Sequence, residues 1–323
     1  MERKVVVYGG GLIGSGWAAA FLLGGIDVTV YDISGGCLEN TRARMRVLLE
    51  RVSRMAPEAV PEEQVETYLR RVHYTCDAEE AVTGAAFIQE NGPERLQVKQ
   101  GMIETIERYN SSAVIATSTS GQRVTEIAAN AKHPERILAG HPFNPVHLMP
   151  LVELCGGEKT SGEAVEKAYR LYSEIGKMPI VLKKECKGFV GNRLQAALNR
   201  EVQDLVARGV CSVEDADRAV TYGLGMRLGL IGPHMVFELA GGEGGIAACL
   251  TKFEVSKELL ADLAAWDVRP KEYYQMAVEG ARAELAARPR EMGDTHGGLE
   301  EFRDAGLLTL LKYHGLLKKW EGD

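Results

Sequence analysis

The sequence predicts an α/β fold in which a doubly wound parallel sheet is followed by a mostly α-helical second domain. Short apolar runs alternate with helical stretches through the first half of the chain. A glycine-rich turn follows the first of these runs, and helical signals alone continue beyond residue 186. Strands that alternate with helices are typical of a sheet covered by helices on both faces.

The strands are predicted from short runs of β-branched and other apolar residues. Seven runs have this composition: 4–8, 27–32, 85–89, 113–117, 136–140, 151–155 and 179–183. The clearest helix is 161–176, where apolar residues recur at helical spacing. The region 37–72 is longer than a simple crossover needs, and we interpret it as a pair of helices that project from the sheet.

The change of pattern near residue 186 predicts a domain boundary. A chain of 323 residues is too long for one small core, so two domains are expected. We predict an α/β domain over 1–186 and a helical domain over 187–323. Glycine clusters at 223–232, 241–245 and 293–298 are expected to separate the helices of the second domain.

Composition excludes several classes of function. Hydrophobic residues make up 45% and charged residues 26%, as in ordinary globular proteins, and the net charge of −7 argues against a general binder of nucleic acid or anionic membranes. No apolar run approaches the length of a membrane span, and charged residues rather than a signal peptide follow Met1. The six cysteines have neither a CxxC pair nor metal-ligand spacing. We expect a cytoplasmic protein with free thiols and no metal site.

A nucleotide site is predicted where the first strand meets the first helix. Gly9, Gly11 and Gly14 form a G-x-G-x-x-G pattern, which allows a tight turn, a close approach to pyrophosphate and close helix packing. Asp32 ends the second predicted strand, where a carboxylate can bind ribose hydroxyls. No arginine follows it at once, which favours NAD over NADP. The alternative is a glycine turn that caps a helix, with a surface aspartate. We expect a Rossmann-type domain whose NAD contacts include Leu12 and Ile13.

A base is predicted in the stretch HPFNPVHLMPLVEL, residues 141–154. Hydride leaves an alcohol carbon only as the hydroxyl proton departs, and histidine is the usual base near neutral pH. Among seven histidines, His141 is preferred because it ends a predicted strand at the carboxyl edge of the sheet, where such folds bind ligands. Glu153 lies in an apolar run and needs a partner. The alternative is a core histidine bonded to a backbone carbonyl.

Five motifs occur in the same order as in a known family. GGGLIG, STSG, HPFNP, LVEL and KGFVGNRL together resemble the 3-hydroxyacyl-CoA dehydrogenase superfamily, from residue 4 to about 245. The resemblance implies that His141 is the catalytic base and Glu153 its partner. It also implies that Ser120 and Asn192 contact the substrate oxygen. The contacts implied on the nicotinamide side are Glu94, Lys99 and Asn144.

The chain departs from the members that act on acyl-CoA, because Pro142 stands where those members usually have an aromatic residue. FIQENGPE and GLGMR resemble instead the branch that holds L-gulonate 3-dehydrogenase, with lambda-crystallin, and L-carnitine dehydrogenase. That branch acts on free, polar 3-hydroxy acids. Arg227 of GLGMR is a candidate to clamp a substrate carboxylate, and the alternative is a surface or interface salt bridge.

The predicted function is therefore an NAD-dependent oxidoreductase that interconverts a small polar 3-hydroxy acid and its 3-keto form. The resemblance further implies a homodimer joined through the helical second domain. One alternative is a dehydrogenase of 3-hydroxyacyl-CoA. An alternative of another class is a non-catalytic NAD-binding or crystallin-like protein, although retention of His141, Glu153, Ser120 and Asn192 together argues against that class.

Overall fold

The computed structural model describes residues 4–252 and 257–318. The described residues form two compact units. The first unit contains 4–193 together with 303–318, and the second contains the described residues of 194–302.

The first unit is built on an eight-stranded sheet in the order β3-β2-β1-β4-β5-β6-β7-β8. Its strands are β1 Val5–Tyr8, β2 Val28–Tyr31, β3 Val72–Thr75, β4 Phe87–Glu90, β5 Val114–Thr117, β6 Ile137–Pro142, β7 Leu151–Gly156 and β8 Met178–Leu182. β1, β4, β5 and β6 are buried along their whole length, as expected of strands covered on both faces. The predicted α/β class, with a doubly wound sheet and a helical part after it, is confirmed.

Two features of the sheet differ from the sequence-based expectation. β3 was not predicted, because only its first and last residues are buried and no continuous apolar run marks this edge strand. The pair β6·β7 is antiparallel, whereas all other neighbours are parallel. The link between these two strands is short, and a parallel neighbour would need a crossover of a dozen residues or more.

Helices of the first unit cover the sheet. They are α1 Leu12–Leu23, α2 Gly35–Met55, α3 Val65–Arg70, α4 Ala78–Val82, α5 Leu96–Tyr109, α6 Val124–Ile127 and α7 Gly162–Glu174. The pair α2 and α3, expected to project from the sheet, buries an apolar face in the same core cluster as α1. Met45 and Leu49 of α2 are fully buried in one core cluster with Trp17 and Phe21 of α1. The apolar face of α2 thus ties the first part of the 37–72 region to α1.

The end of the chain belongs to the first unit. Residues 303–318, which the sequence analysis assigned to the second domain, include the last part of α15 His296–Tyr313. Leu308 lies in the core cluster of α1 and α2, and Arg51 Nη1 forms an ion pair of 2.7 Å with Asp304 Oδ2. Apolar burial and a buried charge pair hold this segment on α2.

The second unit is helical in its described part. Its helices are α8 Gly191–Ala207, which begins in the first unit, α9 Val213–Arg218, α10 Met226–Leu228, α11 Pro233–Ala240, α12 Gly245–Lys252, α13 Lys257–Asp262, α14 Lys271–Ala287 and the first part of α15. A π-helical stretch, Ala219–Gly225, joins α9 directly to α10, so the first glycines of 223–232 do not break the helix. None of the helices in the described ranges is long and apolar enough to cross a membrane.

Candidate active site

The glycine loop has the geometry of a nucleotide-binding turn. Gly9 has a φ of 104°, a conformation that favours glycine, and a Cβ on Gly14 would lie 1.8 Å from the Gly9 carbonyl oxygen. A Cβ on Gly11 would meet nothing within 4 Å, so the space beside Gly11 is open to a ligand. The loop leads into α1, whose first N–H groups favour an anion. The loop residues therefore fit the pyrophosphate of a dinucleotide.

Asp32 lies beside this loop. Its Oδ2 accepts a hydrogen bond of 2.8 Å from the Gly10 backbone N–H, and its Oδ1 accepts one of 2.7 Å from Ile33 N–H. Leu12 is exposed and Ile13 is half-buried at the start of α1. The structure thus brings the predicted ribose-binding carboxylate and the glycine loop to one place at the carboxyl edge of the sheet.

Lys99 does not lie open to a ligand, although it was predicted to contact the cofactor. Its side chain is 1% exposed, and its Nζ lies 3.0 Å from Oε2 of Glu90, whose side chain is wholly buried. Thr117 also donates a hydrogen bond to Glu90. Glu90 was not predicted as a site residue, because it ends the strand FIQE and no motif marks it. Lys99 and Glu90 together form a buried charge pair under the ends of β4 and β5.

Glu94, another predicted cofactor contact, holds the loop that contains Ser120. Its Oε1 accepts hydrogen bonds from the Thr119 hydroxyl at 2.6 Å and from the N–H groups of Ser120 and Gly121 at 3.1 and 3.0 Å. Burial raises the pKa of Glu94, but these hydrogen bonds and the charge of Lys99 outweigh it, so the pKa lies below the ordinary value. Glu94 is therefore an ionised anchor for this loop.

His141 and Glu153 are direct neighbours across the antiparallel pair β6·β7. Glu153 Oε2 lies 2.8 Å from His141 Nδ1, and Oε1 accepts the N–H groups of Val190 and Gly191 at 2.8 and 2.9 Å. Burial raises the pKa of Glu153, but the hydrogen bonds from His141, Gly191 and Val190 outweigh it and hold the pKa below its usual range. An ionised carboxylate only accepts, so Nδ1 carries the proton. Among the described residues, Nε2 of His141 has no hydrogen-bond partner.

Three residues after β8 shape this pair and were not predicted to have a role, namely Phe189, Val190 and Gly191. Phe189 has a φ of 49°, unusual for a bulky residue, and its ring centroid lies 5.3 Å from that of His141. This turn aims the two N–H groups at Glu153. A Cβ on Gly191 would lie 2.4 Å from Cζ of Phe143, so glycine is needed there. Only the motif KGFVGNRL signalled this turn.

Ser120 and Asn192 are brought together, as Asn192 Nδ2 donates to the Ser120 carbonyl at 3.3 Å. Asn144 is exposed on the loop after β6. Arg227 is exposed in α10 of the second unit, in a helix rather than the glycine-rich loop that was expected. The described residues contain no group of three or more side chains that could hold a metal ion.

Comparison with known proteins decides the family. Residues 4–186 match the family described as 3-hydroxyacyl-CoA dehydrogenase, NAD binding domain, and residues 188–284 match its C-terminal domain. The chain belongs to the 3-hydroxyacyl-CoA dehydrogenase family. This member is an NAD-dependent dehydrogenase that acts on a CH–OH group.

Several relatives of this family member resemble it over most of its length. An L-carnitine dehydrogenase from Streptomyces coelicolor is 39% identical over 317 residues, which cover 98% of this chain and 96% of the relative. One from Mesorhizobium japonicum is 40% identical, over 78% of this chain and 68% of the relative.

Solved structures show the same fold. That of 5-formyl-3-hydroxy-2-methylpyridine 4-carboxylic acid 5-dehydrogenase, an NAD⁺-dependent dismutase, is similar with a TM-score of 0.76 and 32% identity, over 98% of this chain and 99% of the other. The (S)-3-hydroxybutyryl-CoA dehydrogenase from Ralstonia eutropha is similar with a TM-score of 0.64 and 25% identity, over 91% of this chain and 98% of the other.

Proposed function

We propose that this dehydrogenase interconverts the 3-hydroxyl and 3-keto forms of a small, polar, free hydroxy acid, with His141 as the base. The observation that carries the proposal is the buried pair of His141 and Glu153, in which Nδ1 is bonded and Nε2 remains available. NAD, when bound, supplies the acceptor for the hydride. Gly9, Gly11, Leu12, Ile13, Gly14 and Asp32 would hold it.

The geometry of the pair defines the route of the proton. Since Nδ1 donates to Glu153, the neutral imidazole presents a lone pair at Nε2, which takes the proton of the substrate hydroxyl. The imidazolium that results lies against a carboxylate whose pKa is held low, so its charge is balanced at once. Phe143 and Phe189 flank the ring, with centroids 5.6 and 5.3 Å from that of His141. In the reverse direction the same Nε2 returns the proton.

Ser120 and Asn192 are proposed to hold the substrate oxygen. This is supported by the hydrogen bond of 3.3 Å from Asn192 Nδ2 to the Ser120 backbone carbonyl, and by Glu94, which accepts the Ser120 backbone N–H. Three further residues are proposed to contact NAD on its nicotinamide side: Glu94, Lys99 and Asn144. For Lys99 an indirect role is proposed, because its buried ammonium group is paired with Glu90 and does not face a ligand.

The relatives support a free acid as substrate. Proteins named L-carnitine dehydrogenase match nearly the whole chain, and the dehydrogenase with a TM-score of 0.76 is named for a pyridine carboxylic acid. Arg227 is proposed as the carboxylate clamp: it is exposed, and no ion pair joins it to another described residue. A 3-hydroxyacyl-CoA substrate is the second candidate, favoured by the family itself and by the Ralstonia enzyme.

NADH formation by the purified protein tests the substrate. The panel is L-carnitine, L-gulonate, 3-hydroxybutyrate and 3-hydroxybutyryl-CoA, each with NAD and with NADP. We expect turnover on free acids with NAD, and a steep rise in KM for the acid in Arg227→Met. Turnover confined to the CoA ester would contradict the free acid, and NAD binding without any turnover would favour a non-catalytic protein.

We further propose that the chain functions as a cytoplasmic homodimer, with 1–186 binding NAD and 187–323, apart from the end that packs on the first unit, serving the substrate and the dimer. The change of family match between 186 and 188 supports this division. The second unit exposes many large apolar side chains, which in a lone chain would favour association. They include Leu194, Met226, Met235, Phe237 and Leu239. Sedimentation equilibrium should give twice the mass of the chain, and a monomer would refute the proposal.

A further inference from the structure

A buried polar network lies next to His141, where the backbone pairing of β5 with β6 ends. The backbone pairing of β5 with β6 reaches Thr117 and Ala139 and ends there. One residue later, the carbonyl of Gly140 accepts a hydrogen bond of 3.3 Å from the side-chain amide of Gln89. Gly140 directly precedes His141 in the chain. A side chain from β4 therefore fixes the backbone next to the proposed base.

Every polar atom of the Gln89 side chain has a partner. Its Nε2 also donates to the Ser118 hydroxyl at 2.9 Å, and its Oε1 accepts the hydroxyl of Tyr172 from α7. Gln89 and Tyr172 are both wholly inaccessible to solvent. A fully satisfied buried network of this kind makes a core rigid and specifies one arrangement of it.

The network continues to the nucleotide loop. The Ser118 hydroxyl accepts the indole N–H of Trp17 in α1 at 3.0 Å and donates to Asn91 Oδ1 at 2.8 Å. The backbone oxygen of Asn91 would lie 3.0 Å from a Cβ on Gly9, so Asn91 adjoins the glycine turn. Trp17, Ser118 and Gln89 thus connect the helix of the nucleotide loop with the backbone beside His141.

Gly140 shows that the sequence is adapted to this network. A Cβ at that position would lie 2.2 Å from the Tyr172 hydroxyl and 3.1 Å from the Cβ of Ala116, so any larger residue would displace the tyrosine from Gln89. Apolar groups of the same shape in place of both partners can be nearly neutral, so the stability of the core does not by itself require hydrogen bonds here. The network is therefore a candidate for a role in positioning.

We infer that Gln89 and Tyr172 are positioning residues, which hold the backbone of His141 in register with the nucleotide loop through Gly140, Ser118 and Trp17. The inference rests on the proposed role of His141. Neither side chain touches the reacting atoms, and both act through others. Small displacements of a catalytic group cost large factors in rate, whereas binding of NAD by the glycine loop needs no contact with Gln89.

Three variants test the inference. Gln89→Met keeps the length of the side chain and removes its hydrogen bonds, and Tyr172→Phe removes one hydroxyl. The matched control is Asn110→Ala. Asn110 is also a buried amide, which donates to the carbonyls of Val82 and Ala85 at 2.7 and 2.9 Å, away from His141. We expect kcat to fall roughly 10-fold or more in the first two variants, with KM for NAD unchanged. The control should lose thermal stability and keep kcat.

Two readouts separate positioning from a structural role. The primary deuterium isotope effect on kcat, measured with substrate labelled at C3, should rise in Gln89→Met and Tyr172→Phe and stay constant in Asn110→Ala. The proton NMR resonance of His141 Nδ1–H, assigned by its loss in His141→Asn, should shift in the same two variants, and this readout needs no turnover. If only thermal stability changes, as in the control, the inference is overturned. If His141→Ala keeps full turnover, the proposed base fails instead.

Discussion

Two glutamates with wholly buried side chains, Glu90 and Glu153, lie at the carboxyl edge of the same sheet and are paired with different basic residues. An isolated buried carboxylate is costly, so each must be paired. Glu90 is paired with Lys99, whose ammonium is 3.0 Å away, and Glu153 with His141 at 2.8 Å. Lysine holds its proton firmly at neutral pH, whereas histidine is the side chain best suited to exchange one. The first pair is suited to support the site and the second to transfer protons.

The surroundings of the two pairs agree with this division. Lys99 also lies 3.6 Å from Glu94, which accepts the backbone N–H of Ser120. The first pair is thereby connected to the loop that contains Ser120. The second pair leaves one nitrogen of His141 without a partner among the described residues. Variants of the two pairs should therefore differ, with turnover lost in one case and stability in the other.

The largest effect is expected for His141→Ala. If His141 is the base, kcat should fall by about 10²- to 10⁴-fold while NAD still binds. The control is His147→Leu, which removes a buried histidine of the loop after β6 whose two ring nitrogens have no hydrogen-bond partner among the described residues. The control should keep most of its kcat. Steady-state kinetics and NAD titration measure both, and equal losses in the two variants would contradict the assignment.

Glu153→Gln should be the next most harmful to turnover. The amide keeps the shape, but it cannot balance the imidazolium, so kcat should fall on the order of 10²-fold. The pH dependence of kcat should also change, because Glu153 no longer fixes the proton on Nδ1. A variant with wild-type kcat and pH profile would show that the pair is merely structural.

Glu90→Gln should lower the free energy of unfolding more than it lowers kcat, the opposite of Glu153→Gln. Glu90→Gln removes the nearer carboxylate from the buried ammonium of Lys99, and breaking a buried pair typically costs about 3–5 kcal/mol of the free energy of unfolding. We expect this loss in urea denaturation, with a smaller change in kcat than in Glu153→Gln. The double variant Glu90→Leu/Lys99→Met should recover much of the stability. If Glu90→Gln lost kcat but kept its stability, the Glu90–Lys99 pair would not be the structural one of the two.

The smallest effect concerns Lys177, a buried lysine that no described carboxylate pairs with. It donates to the carbonyls of Val146 and Met149, and burial lowers its pKa from 10.5 to about 7. Between those two pH values the unfolded chain binds more protons than the folded one, so stability should rise with pH across this window. Lys177→Met should lack that slope. Urea midpoints at pH 7 and 9.5 compare the two proteins, and parallel changes would contradict the lowered pKa.

Much of the site was accessible from the sequence because its parts are local or carry a motif. The glycine loop and Asp32 belong to one βαβ unit, and His141 and Glu153 belong to one short antiparallel hairpin. Glu153 was recognised by its cost in an apolar run. The role of Glu90 was not, since nothing in FIQE indicates that the distant Lys99 and Thr117 converge on it.

Other features could not be read from local patterns. β3 has only two buried residues, so its alternation is too short to detect. The helices of 37–72 were predicted, but their packing depends on Leu308 and on the contact of Arg51 with Asp304, 253 positions away. The turn at Phe189 has a positive φ and the N–H groups after it bind Glu153, a contact that the sequence of the turn does not show.

By itself, the sequence determined the order of the elements, the NAD loop and the identity of the proposed base and its partner, since these depend on short-range spacing and side-chain chemistry. Tertiary structure decided which buried polar groups meet. Gln89 and Tyr172 lie 83 positions apart, and their hydrogen bond exists because two layers of the fold bring them together where water is excluded. Burial makes such partners obligatory, and only the folded chain selects them.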